Sequence, residues 1–248
     1  MTARGLRFAT IVGLSLFTVS WAKEASAYRP FDGTDAAVAD PGEMEIELGP
    51  AGYLREGSEH FLVAPAVVAN YGLAPQWEAV LQTQAEHGLA GVSKSPVLTE
   101  TFALLKTVLR EGVLQDKSGP SLATEFGVVL PEINGVSGTG GTVSGILSQR
   151  WQGLTLHLNA AATITSQQHA DLFLDAIVEG PHEWPVRPVA EVFHDHEFGR
   201  VKTLSGLIGA IWQVRDTLAI DAGLRHARIN SVSADEVRAG ITFSFPIR

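Results

Sequence analysis

Residues 154–165, Leu-Thr-Leu-His-Leu-Asn-Ala-Ala-Ala-Thr-Ile-Thr, alternate between two kinds of side chain. Successive side chains of an extended chain point to opposite sides. Leu154, Leu156, Leu158, Ala160, Ala162 and Ile164 therefore form one apolar face, and Thr155, His157, Asn159, Ala161, Thr163 and Thr165 form a wetter one. The stretch is about twice the usual length of a globular strand. It suits the roughly 9–11 residues that a tilted strand needs to cross a bilayer. The same alternation recurs along most of the 248 residues.

The chain also opens like an exported one. Arg4 and Arg7 precede an uncharged apolar stretch from Phe8 to Ala22, and Ala25-Ser26-Ala27 is a small-residue cleavage site. This pattern predicts a signal peptide over 1–27, cut after Ala27. The apolar stretch is short for a spanning helix, which needs about 20 residues. Residues 1–27 carry Arg4, Arg7, Lys23 and Glu24, so the formal net charge of −9 for the chain becomes −11 for the mature part. Such acidity argues against a nucleic-acid partner, because phosphate binding wants a basic face. There is no cysteine, which excludes a disulfide scaffold, thiolate metal sites and a cysteine nucleophile. After residue 27 no apolar run is long enough for a helical span. Long half-apolar strands behind an export signal predict an all-β fold: a single transmembrane, antiparallel, up-and-down barrel in the outer membrane. Residues 28–41 are expected to be an N-terminal periplasmic segment and 42–248 the barrel.

Twelve strands are predicted, at 42–53, 60–71, 76–87, 96–111, 120–130, 142–151, 154–165, 169–179, 184–194, 201–214, 217–227 and 235–245. An even count suits a bacterial barrel with both ends in the periplasm. With residue 42 at the periplasmic rim, 72–75, 152–153, the stretch around 180–181 and 215–216 become short periplasmic turns. Residues 132–141, 194–200 and 228–235 become longer outer loops. The link at 112–120 is long for a periplasmic turn, and 166–168 is short for an outer loop. Residues 97–110 also have helical spacing at Phe102, Leu105 and Leu109, although their threonines favour a strand. Pro65 and Pro188 each remove a ladder donor, so a bulge or break is expected at both.

The charges fall on one face of these strands. An Arg or Lys facing lipid costs about 2–4 kcal/mol at the bilayer midplane, so the charged face should line the lumen. The candidate lumen-lining residues are Glu45, Glu47, Glu78, Glu100, Lys106, Glu125, His157, Asp171, Asp175, Arg187, Glu191, Asp221, Arg225 and Arg238. They could set which solutes pass or pair across the barrel and fill it. Tyr71, Trp77, Trp151, Trp184, Trp212 and Phe245 lie near predicted periplasmic strand ends, as an interfacial aromatic girdle would.

Residues 29–49 run Arg-Pro-Phe-Asp-Gly-Thr-Asp, then Ala-Ala-Val-Ala-Asp, then Pro-Gly-Glu-Met-Glu-Ile-Glu-Leu-Gly. This stretch resembles the opening of the outer-membrane barrel family named for the meta-pathway of phenol degradation. Asn70-Tyr71-Gly72-Leu73, Trp184-Pro185 through Pro188-Val189-Ala190-Glu191, and Leu218 through Arg225 resemble later parts of that family, in order. Many outer-membrane barrels end on an aromatic residue that the assembly machinery recognises. Phe243 and Phe245 have the right parity here, but Pro246-Ile247-Arg248 follow. The resemblance implies a transport or envelope role, with no catalytic residue and no cofactor.

Other strings carry less. His194-Asp195-His196-Glu197 is the most metal-like, but a closed site needs about four converging ligands, so no metal is assigned. His182-Glu183 lies in a predicted turn. The glycines between Gly135 and Gly145 are followed by no phosphate-loop lysine, and no serine has the Gly-x-Ser-x-Gly elbow context. The resulting expectation is a passive conduit for small molecules, hydrophobic or aromatic if the family name is a guide. Its expected partners are membrane lipid, the barrel assembly machinery and a small solute. A non-transporting structural barrel is the alternative, followed by an outer-membrane hydrolase and a secreted β-sandwich.

Overall fold

The computed structural model describes residues 29–92 and 95–247; the expected signal peptide and its cleavage site lie outside them. The strands are β1 (Glu43–Glu56), β2 (Glu59–Ala74), β3 (Trp77–Ala90), β4 (Val97–Arg110), β5 (Ser121–Val129) and β6 (Gly140–Arg150). There follow β7 (Thr155–Ile164), β8 (Ala170–Glu179), β9 (Val186–Glu197), β10 (Val201–Arg215), β11 (Leu218–Ile229) and β12 (Val232–Pro246). Each pairs antiparallel with its sequence neighbour, and β1 pairs β12 to close a twelve-stranded barrel. Residues 97–110 are strand throughout, as their threonines favoured. Closure satisfies every strand edge, the condition for leaving an apolar surface facing lipid.

The period-two pattern decides which face is which. Ile208, Leu224, Val192 and Val237 are more than half exposed on the outside. Glu47, Glu78, Lys106, Asp175, Glu191 and Asp221 are buried within. In β1 the register slips between Leu48 and Ala51. This bulge reverses the parity, so Gly52 is buried and Tyr53 faces out.

β1 begins and β12 finishes at one end of the barrel, the terminal end, where Ile247 N donates to Gly42 O (2.7 Å). Around this terminal end Trp77, Trp151, Trp184, Trp212 and Phe245 are exposed on the outside. The opposite end departs from expectation. β9 runs on to Glu197 and β11 to Ile229. The expected long loops at 194–200 and 228–235 therefore shrink to residues 198–200 and 230–231, because their polar residues continue the ladder. The long connections are 130–139 at that end and 111–120 at the terminal end, which holds a short 3-10 turn, Val113–Gln115.

The two strand prolines behave differently. Pro65 lies where the β2–β3 register slips between Val63 and Ala66, as a lost donor predicts. Pro188 stays in register opposite Ala210. Its carbonyl accepts from Gly180 N (2.8 Å) in the β8–β9 connection. A strand residue's N–H and C=O point to the same neighbour, so the missing donor falls on that connection and not on the β10 ladder.

The segment before β1, which the sequence marks as N-terminal and periplasmic, does not hang free of the strands. Residues 29–41 instead run through the lumen. Phe31 packs on the buried Val189, Ile211 and Ala219, and Ala36 is fully buried with Ala123 and Ile146. Apolar burial of these two side chains inside a polar lumen supplies part of the reason the segment enters.

Candidate functional site: the filled lumen

A segment with no strand partner must satisfy its backbone N–H groups some other way. Here the barrel wall does so with side-chain acceptors. Arg29 N donates to Glu47 Oε2 (3.0 Å), and Asp32 N and Gly33 N both donate to Glu191 Oε1 (2.8 and 2.9 Å). Thr34 N reaches Asn159 Oδ1 (3.3 Å), Ala36 N reaches Ser148 Oγ (2.9 Å) and Ala39 N reaches Glu78 Oε2 (2.5 Å). An ionised carboxylate is an acceptor only, so an acidic wall is well suited to hold a bare peptide strand. Gln115 of the 3-10 turn donates back to Ala36 O (2.9 Å), which accounts for the long link at that end.

Cations tie the side chains of the same segment. Arg238 donates to Pro30 O (2.8 Å) and Asp32 Oδ1 (3.2 Å), and it shares Glu236 with Arg225, each at 2.8 Å. Arg225 lies 3.9 Å from Asp32. Lys106 bonds Thr34 Oγ1 (3.2 Å) and pairs with Asp35 (3.7 Å), and Arg29 lies 3.9 Å from Asp221. Burial pushes the Asp32 carboxyl upward. Arg238 and Arg225 outweigh it and hold the group below the usual carboxylate range.

Two glycines make the close approach possible. A Cβ at Gly33 would overlap the Asp175 carboxylate, and one at Gly72 would overlap the Asp40 carbonyl. The segment leaves the wall with Gly42 N donating to Gly72 O (2.8 Å). At the terminal mouth a cavity of about 230 Å³ is bounded by Asp40, Glu43, Glu45, Arg150, His182 and Arg187, and it stops against residues 35–39.

Of the candidate lumen residues, Glu47, Glu78, Lys106, Asp175, Glu191, Asp221, Arg225 and Arg238 meet the segment or its neighbours directly. Glu45 is buried beside the terminal mouth. His157 and Arg187 converge on Glu179 at 3.4 and 3.3 Å. Glu125 and Asp171 are half-buried, and Glu100 is solvent-exposed within reach of the field of Asp32, Arg225 and Arg238. Sequence reasoning missed Asn159, Ser148, Glu179 and Glu236 as contacts. All four share the parity of charged lumen residues on their strands, which was the available signal.

The metal-like string of β9 is divided by the strand. His194 points outward and Asp195 inward, following the alternation. Ser148 Oγ lies 2.7 Å from His157 Nδ1, with Glu179 beyond, an order of groups found in hydrolases. This hydroxyl is fully buried and already accepts the Ala36 N–H. Ser148 thus holds the segment, with His157 behind it.

The barrel has the architecture of outer-membrane channels. It matches the COG4313 outer membrane channel from Pseudomonas putida F1 with TM-score 0.65 and 8% identity, covering 87% of this chain and 100% of the other. The NanC porin matches at 0.55 and 7%, covering 81% and 98%, and the KdgM porin at 0.53 and 10%, covering 81% and 99%. At these identities the likeness defines the fold class, a closed antiparallel twelve-stranded barrel of the outer-membrane type. No family model and no curated protein matches the chain.

Proposed function

We propose that this chain is a passive outer-membrane channel for small molecules whose lumen is closed by its own residues 29–41. In this reading the terminal end faces the periplasm, and solute passes when the segment loosens. The observation that carries it is the manner of closure. The segment is fastened by single hydrogen bonds and ion pairs to the wall, with no strand pairing between Arg29 and Asp40. A contact set of this kind can be released without unzipping the barrel. The similar folds named channel and porin support the same reading. The ordered resemblances at residues 29–49, 70–73, 184–191 and 218–225 support membership of the family named for the meta-pathway of phenol degradation. Passage of hydrophobic or aromatic solutes rests on that resemblance.

Charge adds a selectivity. Glu45, Glu47, Glu78, Glu100, Glu191 and Asp221 outnumber the inward cations Lys106, Arg187, Arg225 and Arg238, so cationic and neutral solutes should pass more readily than anions. The filled lumen favours a second reading, a structural barrel that transports nothing. Liposome swelling with neutral, cationic and anionic solutes of equal size separates the two. The channel reading predicts swelling in the order cation, neutral, anion. Swelling no faster than in protein-free liposomes would establish the structural reading.

A further inference from the structure

On the outward face of β9 to β12 and β1, polar and charged groups collect at one end. The strand interiors carry only apolar or small residues outward, such as Ile208, Leu224 and Val237. The end opposite the start of β1 carries Lys202 and Arg228, with His194 and His196 beside them, and Arg55 and His226 one row below. On β10, ten residues separate Lys202 from Trp212 of the aromatic girdle. At about 3.3 Å per residue and a tilt of roughly 40°, that spans about 25 Å, the height of an apolar band. The cations therefore sit at headgroup level.

The arc is one-sided. At the same end, strands β5 to β8 present Val128, Val143, Ile164 and Leu172 outward. Asp235 stands among the cations and accepts from His226 Nδ1 (2.7 Å) and from Arg55, while Glu197, next to His196 on β9, is taken by His169 and Arg200 at 3.1 and 3.8 Å. Among the described residues, Lys202 and Arg228 make no ion pair. A local excess of positive charge stands on a chain whose formal charge is −9.

Directly below the cations the wall is indented. Gly206 lies in register with His226, and a Cβ there would meet almost nothing. The resulting groove, about 540 Å³, is flanked by Tyr53, Ile208, Leu224 and Val237 and is crowned by Arg55 and His226. An apolar trough beneath a cationic rim is complementary to a lipid with an anionic head. Acyl chain would lie along the apolar walls, and phosphate would meet guanidinium and ammonium groups.

We propose that this arc binds a phosphate-bearing lipid of the outer leaflet, with the phosphate at Lys202 and Arg228 and an acyl chain in the Gly206 groove. The proposal rests on the membrane orientation given above but not on transport. Native mass spectrometry of the folded barrel in non-ionic detergent tests it, using a phosphorylated glucosamine-based glycolipid and its dephosphorylated counterpart as probes. The phosphorylated lipid should bind selectively. Each of Lys202→Gln and Arg228→Gln should weaken it about fivefold at low salt and the pair roughly 30-fold. Lys117→Gln, in the connection at the other end, should leave binding unchanged. A heat-modifiable band confirms that each variant is folded.

Equal binding of both lipids, or a double variant that binds as the parent does, would overturn the proposal. Competition by inorganic phosphate at the lipid's own concentration would also overturn it, since the acyl groove would then contribute nothing. Binding is read independently of conductance. A barrel without flux that still selects the phosphorylated lipid supports the site, and a conducting barrel that does not select it refutes the site alone.

Discussion

Replacing Asp32 with alanine is the most economical way to ask what holds the lumen shut, because Asp32 belongs to the segment and not to the wall. Its carboxylate takes a hydrogen bond from Arg238 (3.2 Å) and faces Arg225 at 3.9 Å. Removing one partner of a buried ion pair can cost about 3–5 kcal/mol when the other is left uncompensated. Here both arginines keep Glu236 at 2.8 Å, so neither is orphaned. Asp32 is also partly open to solvent, so the loss should sit at the low end for a charge-assisted hydrogen bond, about 1.5 kcal/mol. Since each 1.4 kcal/mol is tenfold, the equilibrium between seated and released segment should shift about tenfold toward release. Single-channel recording in a planar bilayer reads this as more time in a high-conductance state. The barrel itself should keep its unfolding midpoint. Conductance statistics identical to the parent's would refute the claim that this contact holds the segment.

Three further outcomes follow from the same geometry. Gly72→Val places side-chain atoms where the Asp40 carbonyl lies, so the segment should fail to seat, and a protease added from the periplasmic side should cut within residues 29–41. Because the folded pKa of Asp32 is depressed, its contribution to seating is present above the ordinary carboxylate range and lost as pH falls through the lowered value. The part of seating owed to Asp32, read as the difference in open probability between the parent and Asp32→Ala, should thus persist from neutral pH to about pH 5 and vanish only under stronger acid. Ala160→Arg puts a cation on the outer face of β7 and should cost about 2–4 kcal/mol of barrel stability. Ala161→Arg, on the inner face, should cost less, as urea titration of the heat-modifiable band would show.

The barrel was readable because two constraints act on every strand. Period two fixes the face, and the lipid penalty keeps charge off one of them, so Glu45 and Glu47 alternate with Met44 and Ile46 in plain view. Strand ends were less legible: the polar string at 194–197 reads as loop, yet it pairs with β10. The segment at 29–41 could not be placed by pattern. It has no period, because its neighbours are side chains and not another strand. Its position is written instead in the wall, as carboxylates at 47, 78 and 191 that would be costly to bury unless something donated to them. A wall carboxylate in the sequence implies a donor nearby but does not say whether that donor lies across the lumen or earlier along the chain. The Arg-Pro-Phe-Asp stretch carried the resemblance, and the structure shows what each of its residues touches.

The central claim is that residues 29–41 occupy the lumen and control it. The chain has no cysteine, so an engineered pair reports without background. Ala36→Cys with Ser148→Cys replaces two residues whose backbone N and side chain lie 2.9 Å apart, and Gly145→Cys with Ala160→Cys, opposed across β6 and β7, is the control pair. The account predicts that oxidation links both pairs in the membrane-inserted protein. Only the first link should suppress single-channel openings, and reductant should restore them. Ready linking of the control pair with none between 36 and 148, or openings unchanged by a completed 36–148 link, would contradict it.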